Sequence, residues 1–401
     1  MEKKKVPEIR LEGFEGEWKT YKLGDVVTYF EDPVETPTNG YFRLGVRSWA
    51  NGTFHTYVPA GEELSTAQMH RVSANKFIVN ITFAWEHAVA ITDNDDEGKL
   101  VSHRFPQFTF LDDNVPNFFK YVIIDERFRR HLSLASPGGA GRNRVLDIKE
   151  MLQYELTVPE PNEQKAIGEY FTNLDDLISN TEDRRTKLLA LKNSLLQKMF
   201  PQEGESVPWI RFDGFEGEWD KKKLGDLYEC NNERNVNKNI GFDKTVSVAT
   251  MNYKEDGNGA ASDSLATYKI LRLGDIAFEG HTNKEFLYGR FVLNDIGDGI
   301  MSPRFSALRP KKMFPISFWK YYIHHEPVMR KILVNSTKAG TMMNELDIDD
   351  FLEQEIYVPG DNEQKAIGDY FTNLDTLIET QEQKITKLQQ MKSALLQKMF
   401  V

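Results

Sequence analysis

Residues 158–200 read VPEPNEQKAIGEYFTNLDDLISNTEDRRTKLLALKNSLLQKMF, and residues 358–400 read VPGDNEQKAIGDYFTNLDTLIETQEQKITKLQQMKSALLQKMF. Twenty-eight of the 43 positions are identical. In the first copy apolar residues fall at Ile167, Phe171, Leu174, Ile178, Leu188, Leu195 and Met199; in the second at Ile367, Phe371, Leu374, Ile378, Ile385, Leu388, Leu395 and Met399. Steps of four and three are the seam of a coiled coil. Thr181 and Arg185 interrupt the first seam and Gln381 the second. Asn162 before Glu163 and Gln164 predicts an N-cap, and Pro201 a stop. From Ile167 to Met199 such a helix spans roughly 48 Å. A narrow stripe of this length fits a partner helix better than one globular domain, so the two copies are expected to pair antiparallel rather than each packing on its own domain.

The repeat extends outward. Residues 6–26, VPEIRLEGFEGEWKTYKLGDV, match residues 207–227, VPWIRFDGFEGEWDKKKLGDL, at 14 of 21 positions. The offsets are 201 and 200, so the chain is two copies of a unit far longer than a solenoid repeat. Residues 27–157 and 228–357 share only punctuation: Ser102, Arg104 and Phe105 recur as Ser302, Arg304 and Phe305, Lys120-Tyr121 as Lys320-Tyr321, and ELTVP as EIYVP. One frame is used twice with altered working surfaces. A duplication for catalysis would retain the reacting residues in both copies, so two different readers on a common scaffold is the direct interpretation. The expected organisation is two globular domains, 1–157 and 201–357, separated by two long helices, 158–200 and 358–401, forming an antiparallel coiled coil.

Composition narrows the class. With 401 residues and 40% hydrophobic content the chain is long enough for two or more cores. The single cysteine, Cys230, allows no disulfide framework and fits a reducing cytoplasm. The N-terminal stretch has no apolar segment of a signal peptide, and no run of 18 apolar residues occurs. The net charge of −11 is unusual for a stand-alone DNA binder. Basic residues are nonetheless concentrated. Arg127, Arg129, Arg130, Arg142 and Arg144 fall in a stretch ending at Leu146, and seven Lys/Arg fall between Arg309 and Asn344 against one carboxylate, Glu326. Two solvated faces account for these runs as well as a nucleic-acid surface does. No phosphate loop, dinucleotide fingerprint, amino-methylation signature, nucleophile elbow or zinc-protease helix is present, so no catalytic residue and no metal site is expected. The pair His324-His325 reads as a surface pair.

The chain resembles the specificity subunit of type I restriction–modification systems over its full length. The resemblance is carried by Asn162-Glu163-Gln164-Lys165 through Met199-Phe200, by Asn362-Glu363-Gln364-Lys365 through Met399-Phe400, and by the Pro-x-Ile-Arg-Phe-x-Gly-Phe-x-Gly-x-Trp run opening each half, with Leu11 and Phe212 in its apolar slot. It implies an α+β fold whose two globular domains are target-recognition domains of mixed α/β structure, in a non-catalytic subunit that reads a bipartite double-stranded DNA target, one half per recognition domain. It further implies helices that dock two copies of an adenine-methylating subunit, and ATP-driven restriction subunits that join them. Methyl donor and ATP would be bound by those partners, so no cofactor is expected here. A tandem-module scaffold without sequence reading is the alternative.

Within the resemblance, Tyr41-Phe42-Arg43-Leu44-Gly45-Val46-Arg47-Ser48-Trp49 and Asn80-Ile81-Thr82-Phe83-Ala84-Trp85-Glu86 are similar to one recognition type, and Gly274-Asp275-Ile276 with Glu279-Gly280-His281-Thr282-Asn283-Lys284 to another. Arginine reads guanine by a bidentate fork and Asn or Gln reads adenine, whereas Lys, Ser, Thr and backbone amides mostly hold phosphates. The expected contacts are Arg43, Arg47, Ser48, Asn51, Asn80 and Thr82 in the first domain, and Asn252, His281, Thr282, Asn283, Lys284 and Arg290 in the second. Ser102, Arg104, Ser302 and Arg304 recur in both copies, which fits scaffold or phosphate contact. Arg142, Arg144 and Lys338, assigned to Gly-containing loops, suit phosphates. Trp49 and Trp85 are expected to pack, because tryptophan usually buries.

Overall fold

A computed structural model describes residues 5–63, 68–138, 144–254, 262–340 and 343–401. Contacts divide it into two units: Met1–Thr181 with Lys384–Val401, and Glu182–Gln383. Each unit therefore takes one half of each long helix, Pro161–Met199 and Asp361–Met399. The first helix starts one residue before Asn162, the residue expected to cap it, and the second starts at the corresponding position before Asn362. Pro161 stands where a missing N–H costs nothing, and Asp361 puts a carboxylate in the first turn.

The first unit contains a four-stranded sheet in the order Val27–Phe30, Gln107–Phe110, Lys76–Val79, Val89–Ile91. Beside it is a five-stranded sheet in the order Pro33–Val34, Met69–Arg71, Leu100–Ser102, Tyr41–Val46, Thr53–Val58. The second unit repeats this plan despite its different residues. Tyr228–Cys230, Ala307–Pro310, Ile276–Glu279 and Arg290–Leu293 form the first sheet. Lys269–Leu271, Gly299–Met301, Thr245–Ser247 and Asn252–Lys254 form the second. The fifth strand is reduced to a single bridge, Arg234 to Lys269. In both second sheets one pairing is parallel, Arg43 to Leu100 and Thr245 to Ile300. A shared unusual pairing marks these as one fold.

The near-identical segments serve as the frame. The runs opening each half become strands Lys19–Lys22 and Asp220–Lys223, paired antiparallel with Glu155–Val158 and Glu355–Val358. Arg10 clasps Glu163 through two bonds of 2.8 and 2.7 Å, and Arg211 clasps Glu363 through bonds of 2.6 and 2.7 Å. Both glutamates are almost fully buried. Gln164 accepts from Val115 N and donates to Pro159 O, while Gln364 accepts from Trp319 Nε1 and donates to Pro359 O. The Asn-Glu-Gln-Lys signature is thus a latch that joins the long helix to its domain.

The long helices satisfy both packing expectations at once. Ile167, Phe171, Leu174 and Ile178 are buried in the core of the first unit with Trp18, Phe118, Phe119 and Met399, and Leu388 and Leu395 pack against that core. Ile367, Phe371 and Leu374 are buried in the second unit with Trp219, Phe318 and Met199, where Leu188 and Leu195 join them. Ile378 is buried and Ile385 half-buried. Each helix start therefore packs on its own domain and on the end of the other helix. The run is antiparallel: in the first unit Phe171 meets Phe400 and Asp175 meets Lys392; in the second Phe371 meets Phe200 and Asp375 meets Lys192. The recurring tyrosines complete this joint, Tyr121 donating to Asp175 at 2.9 Å and Tyr321 to Asp375 at 2.6 Å. Thr181 is buried in the seam with its hydroxyl donating to Leu177 O, so this polar interruption is satisfied. Among the described residues no helix is long and apolar enough to cross a membrane.

Candidate nucleic-acid interface

In the first unit the expected contact residues come mainly from three connections. Turn 47–52 joins strands Tyr41–Val46 and Thr53–Val58. It is fastened to the short helix Ala84–Glu86 by Trp49 N to Glu86 O at 2.9 Å and Ala50 N to His87 O at 2.8 Å. Residues 80–83 follow strand Lys76–Val79, and their Ile81 bonds to both Arg104 O and Leu146 N. Turn, loop and the Arg104 connection therefore share one neighbourhood. Arg47 and Asn51 are exposed there, as is Arg104, and Ser48 and Thr82 are half-buried. Ser48 donates to Glu86 at 2.7 Å. The Arg47 guanidinium donates to Thr53 O and lies over the Phe54 ring. Arg43 lies within its strand, half-buried opposite Thr56, and Ser102 ends strand Leu100–Ser102.

Several placements differ from expectation. Asn80 is only 8% exposed, and its carbonyl oxygen accepts from the amide and hydroxyl of Thr82, holding the loop. Arg144 donates to Ser136 O and Ser133 O at the end of helix Glu126–Leu134 and stacks on Trp85. Its fork closes backbone carbonyls, which is a local structural task. Arg142 lies outside the described residues. Trp49 is 68% exposed, on a turn where it holds a left-handed φ of 64°. Trp85 is half-buried.

The second unit offers different groups at corresponding places. His281, Thr282, Asn283 and Lys284 follow strand Ile276–Glu279 as residues 80–83 follow Lys76–Val79, and all four are exposed. His281 Nδ1 lies 2.5 Å from the buried Glu279 carboxylate, and Asn283 Oδ1 accepts from Glu285 N and Phe286 N, shaping the loop. Arg290 donates to Ala249 O and lies over Phe286, tying the loop to turn 248–251, beside which Asn252 is exposed. Ser302 accepts from Arg304 N. Arg304 lines a cavity of about 290 Å³ with Phe278, Met343 and Asn344. Lys338 sits in the short strand Thr337–Lys338, not in an open loop, and its ammonium is paired with Asp347, which raises its pKa. Asp275 anchors this unit from below: it is buried, and Arg309 and Asn231 hold it against the desolvation that pushes its carboxyl up.

His324 and His325 are not a surface pair. His324 bonds the Phe291 carbonyl and His325 packs on Phe200, while burial pushes His325 down to about 4. Among the described residues no group of three or more His, Cys, Asp or Glu is placed to hold a metal. Sequence reading missed the cation–aromatic contacts of the two tryptophans, Arg129 on Trp49 and Arg144 on Trp85. The arginine run from Arg127 was the available signal.

The family model of the type I restriction modification DNA specificity domain matches the chain twice, over residues 15–190 and 216–390. The chain belongs to this family. It is a specificity subunit with two DNA specificity domains, the recognition component and not the catalyst of such a system. Two solved structures with TM-scores of 0.50 or more agree at the level of fold. The S subunit of a type I restriction–modification system from M. genitalium is 13% identical, with 99% of each chain covered and a TM-score of 0.58. A chain from a structure on complex assembly and conformational transition of the type I R-M system is 15% identical, covering 96% of this chain and 97% of that one, with a TM-score of 0.50. The HsdS subunit from Thermoanaerobacter tengcongensis is 15% identical, with 96% of each chain covered and a TM-score of 0.48. No curated protein sequence matches.

Proposed function

We propose that this specificity subunit reads a bipartite double-stranded DNA target, one half with each domain, and so directs adenine methylation and restriction by partner subunits in the cytoplasm. In this reading residues 1–157 and 201–357 are the recognition domains, and the long helices dock two copies of a modification subunit, which ATP-driven restriction subunits then join. One observation carries the reading: a single fold places largely different side chains at the same connection, Asn80-Ile81-Thr82-Phe83 in one unit and Gly280-His281-Thr282-Asn283 in the other, with the threonine in common. Unlike side chains at equivalent positions fit unlike base edges. Arg47, Asn51, Arg104, His281, Thr282, Lys284 and Arg304 are the foremost contacts, because they are exposed. Asn80, Arg144 and Lys338 stand behind them. The test is to mix the chain with its methylating partner and map methylated adenines across a random DNA library. A two-part sequence with a fixed gap supports the reading, and methylation without sequence preference overturns it.

A further inference from the structure

Turn 47–52 carries an aromatic side chain that the core does not use. Trp49 is 68% exposed on a turn that is rigidly fastened. Arg47 N bonds Gly52 O, Trp49 N bonds Glu86 O, Ala50 N bonds His87 O, and Ser48 Oγ bonds the Glu86 carboxylate. Trp49 and Ala50 hold φ of 64° and 48°, a conformation that residues with a Cβ adopt only when their surroundings enforce it. One face of the indole is covered by the Arg129 guanidinium, 5.5 Å from the ring. The exposure of the residue leaves the other face to solvent.

The surroundings select the partner. Arg47 and Arg130 are exposed nearby on the turn and on helix Glu126–Leu134, which packs against the short helix Ala84–Glu86. Of the neighbouring carboxylates, Glu126 is paired with Arg129, while Glu86 accepts the Ser48 hydroxyl and keeps its charge. A ring offered among cations is the arrangement that accepts a base while the cations take phosphate charge. The equivalent turn of the second unit, 248–251, has no aromatic residue, and its Val248 and Met251 point into the core.

We propose that Trp49 is a base-stacking residue: the open face of its indole packs on a base at one step of the half-site bound by the first unit, with Arg129 backing the other face. The assignment rests on the reading that each unit recognises DNA. Insertion of an apolar side chain at a base step requires partial unstacking, so the step is expected to be a deformable one such as TA or CA.

The experiment uses the full chain assembled with its methylating partner and a random duplex library, followed by affinity measurements on the selected site. Trp49→Ala is expected to bind roughly ten- to a hundred-fold more weakly, on the scale of one lost base–aromatic stack. It should lose sequence preference at one step of one half-site only, with the other half-site selected as before and the unfolding midpoint unchanged. Trp49→Phe should bind within a few-fold of the native chain. Removing the base at the contacted position should weaken binding by the native chain and leave Trp49→Ala indifferent. Unchanged affinity and preference in Trp49→Ala, or equal loss in both half-sites, overturns the assignment while DNA reading stands. If the native chain selects no two-part sequence, the reading itself fails and the assignment with it.

Discussion

Arg10 and Glu163 show how a single pair carries the frame. Glu163 is nearly fully buried and Arg10 supplies both of its strong bonds. Removing one partner of a buried pair leaves the other charge uncompensated, at a cost of ~3–5 kcal/mol. Arg10→Ala is therefore expected to lower stability by ~3 kcal/mol in urea unfolding, and adding Glu163→Gln to recover part of the loss; strictly additive losses would argue against the pair. His325 gives the pH dependence. Its folded pKa of about 4 lies below the ordinary 6.5, so between these values the unfolded chain binds more protons than the folded one. Its contribution is complete above about pH 6.5 and is lost as pH falls toward 4. The slope of stability against pH over that range should be smaller in His325→Phe than in the native chain, and equal slopes would contradict the buried placement. At this scale the sequence was partly legible. The recurrence of Arg10 and Glu163 was visible, but their pairing spans 153 positions and only tertiary structure brings them together. Trp49 was misread because composition gives tryptophan a buried prior and nothing local announces two successive left-handed residues.

Among elements, the long helices meet the short helices Pro116–Val122 and Ile316–Tyr322 at glycines. A Cβ on Gly168 would come within 2.9 Å of Phe118 N, and one on Gly368 within 2.5 Å of Phe318 N. Alanine is the better helix former by about 1 kcal/mol, but overpacking costs ~1–3 kcal/mol. Gly168→Ala and Gly368→Ala should each lower stability in urea unfolding, the second more than the first, because its clash is closer. A gain at either position would mean that the close approach is absent. The helices themselves were legible because their seam is local and repeated. The sheets were not. Residues 27–157 and 228–357 share one strand order while sharing few residues, since non-local pairing of short, largely buried strands accepts many apolar combinations. The mixed α/β character of each domain came from the family resemblance, whereas the two-sheet plan needed coordinates.

For the whole molecule, the repeat implies that the frame is circular. Ile9 N bonds Lys398 O in the first unit as Ile210 N bonds Lys198 O in the second, and Arg127 reaches Val401 O. Joining residue 401 to residue 6 through a short linker and reopening the chain at Gly204 is expected to leave the unfolding midpoint and the helical content unchanged; a permutant that fails to fold would count against this closure. The repeat was the most legible property of the sequence, because 28 identities in 43 positions need no structure to be seen. The individual DNA contacts were the least legible, because exposure and the occupation of each polar group, as at Asn80 and Arg144, depend on loops that no periodicity describes. The central claim is that two unlike readers on one frame each recognise half of a target. It is tested most directly by exchanging residues 27–157 for the equivalent segment of a relative with different specificity and mapping methylated adenines with the modification partner present. One half of the recognised sequence is expected to change while the other half and the gap stay the same. A change in both halves, or in neither, would contradict it.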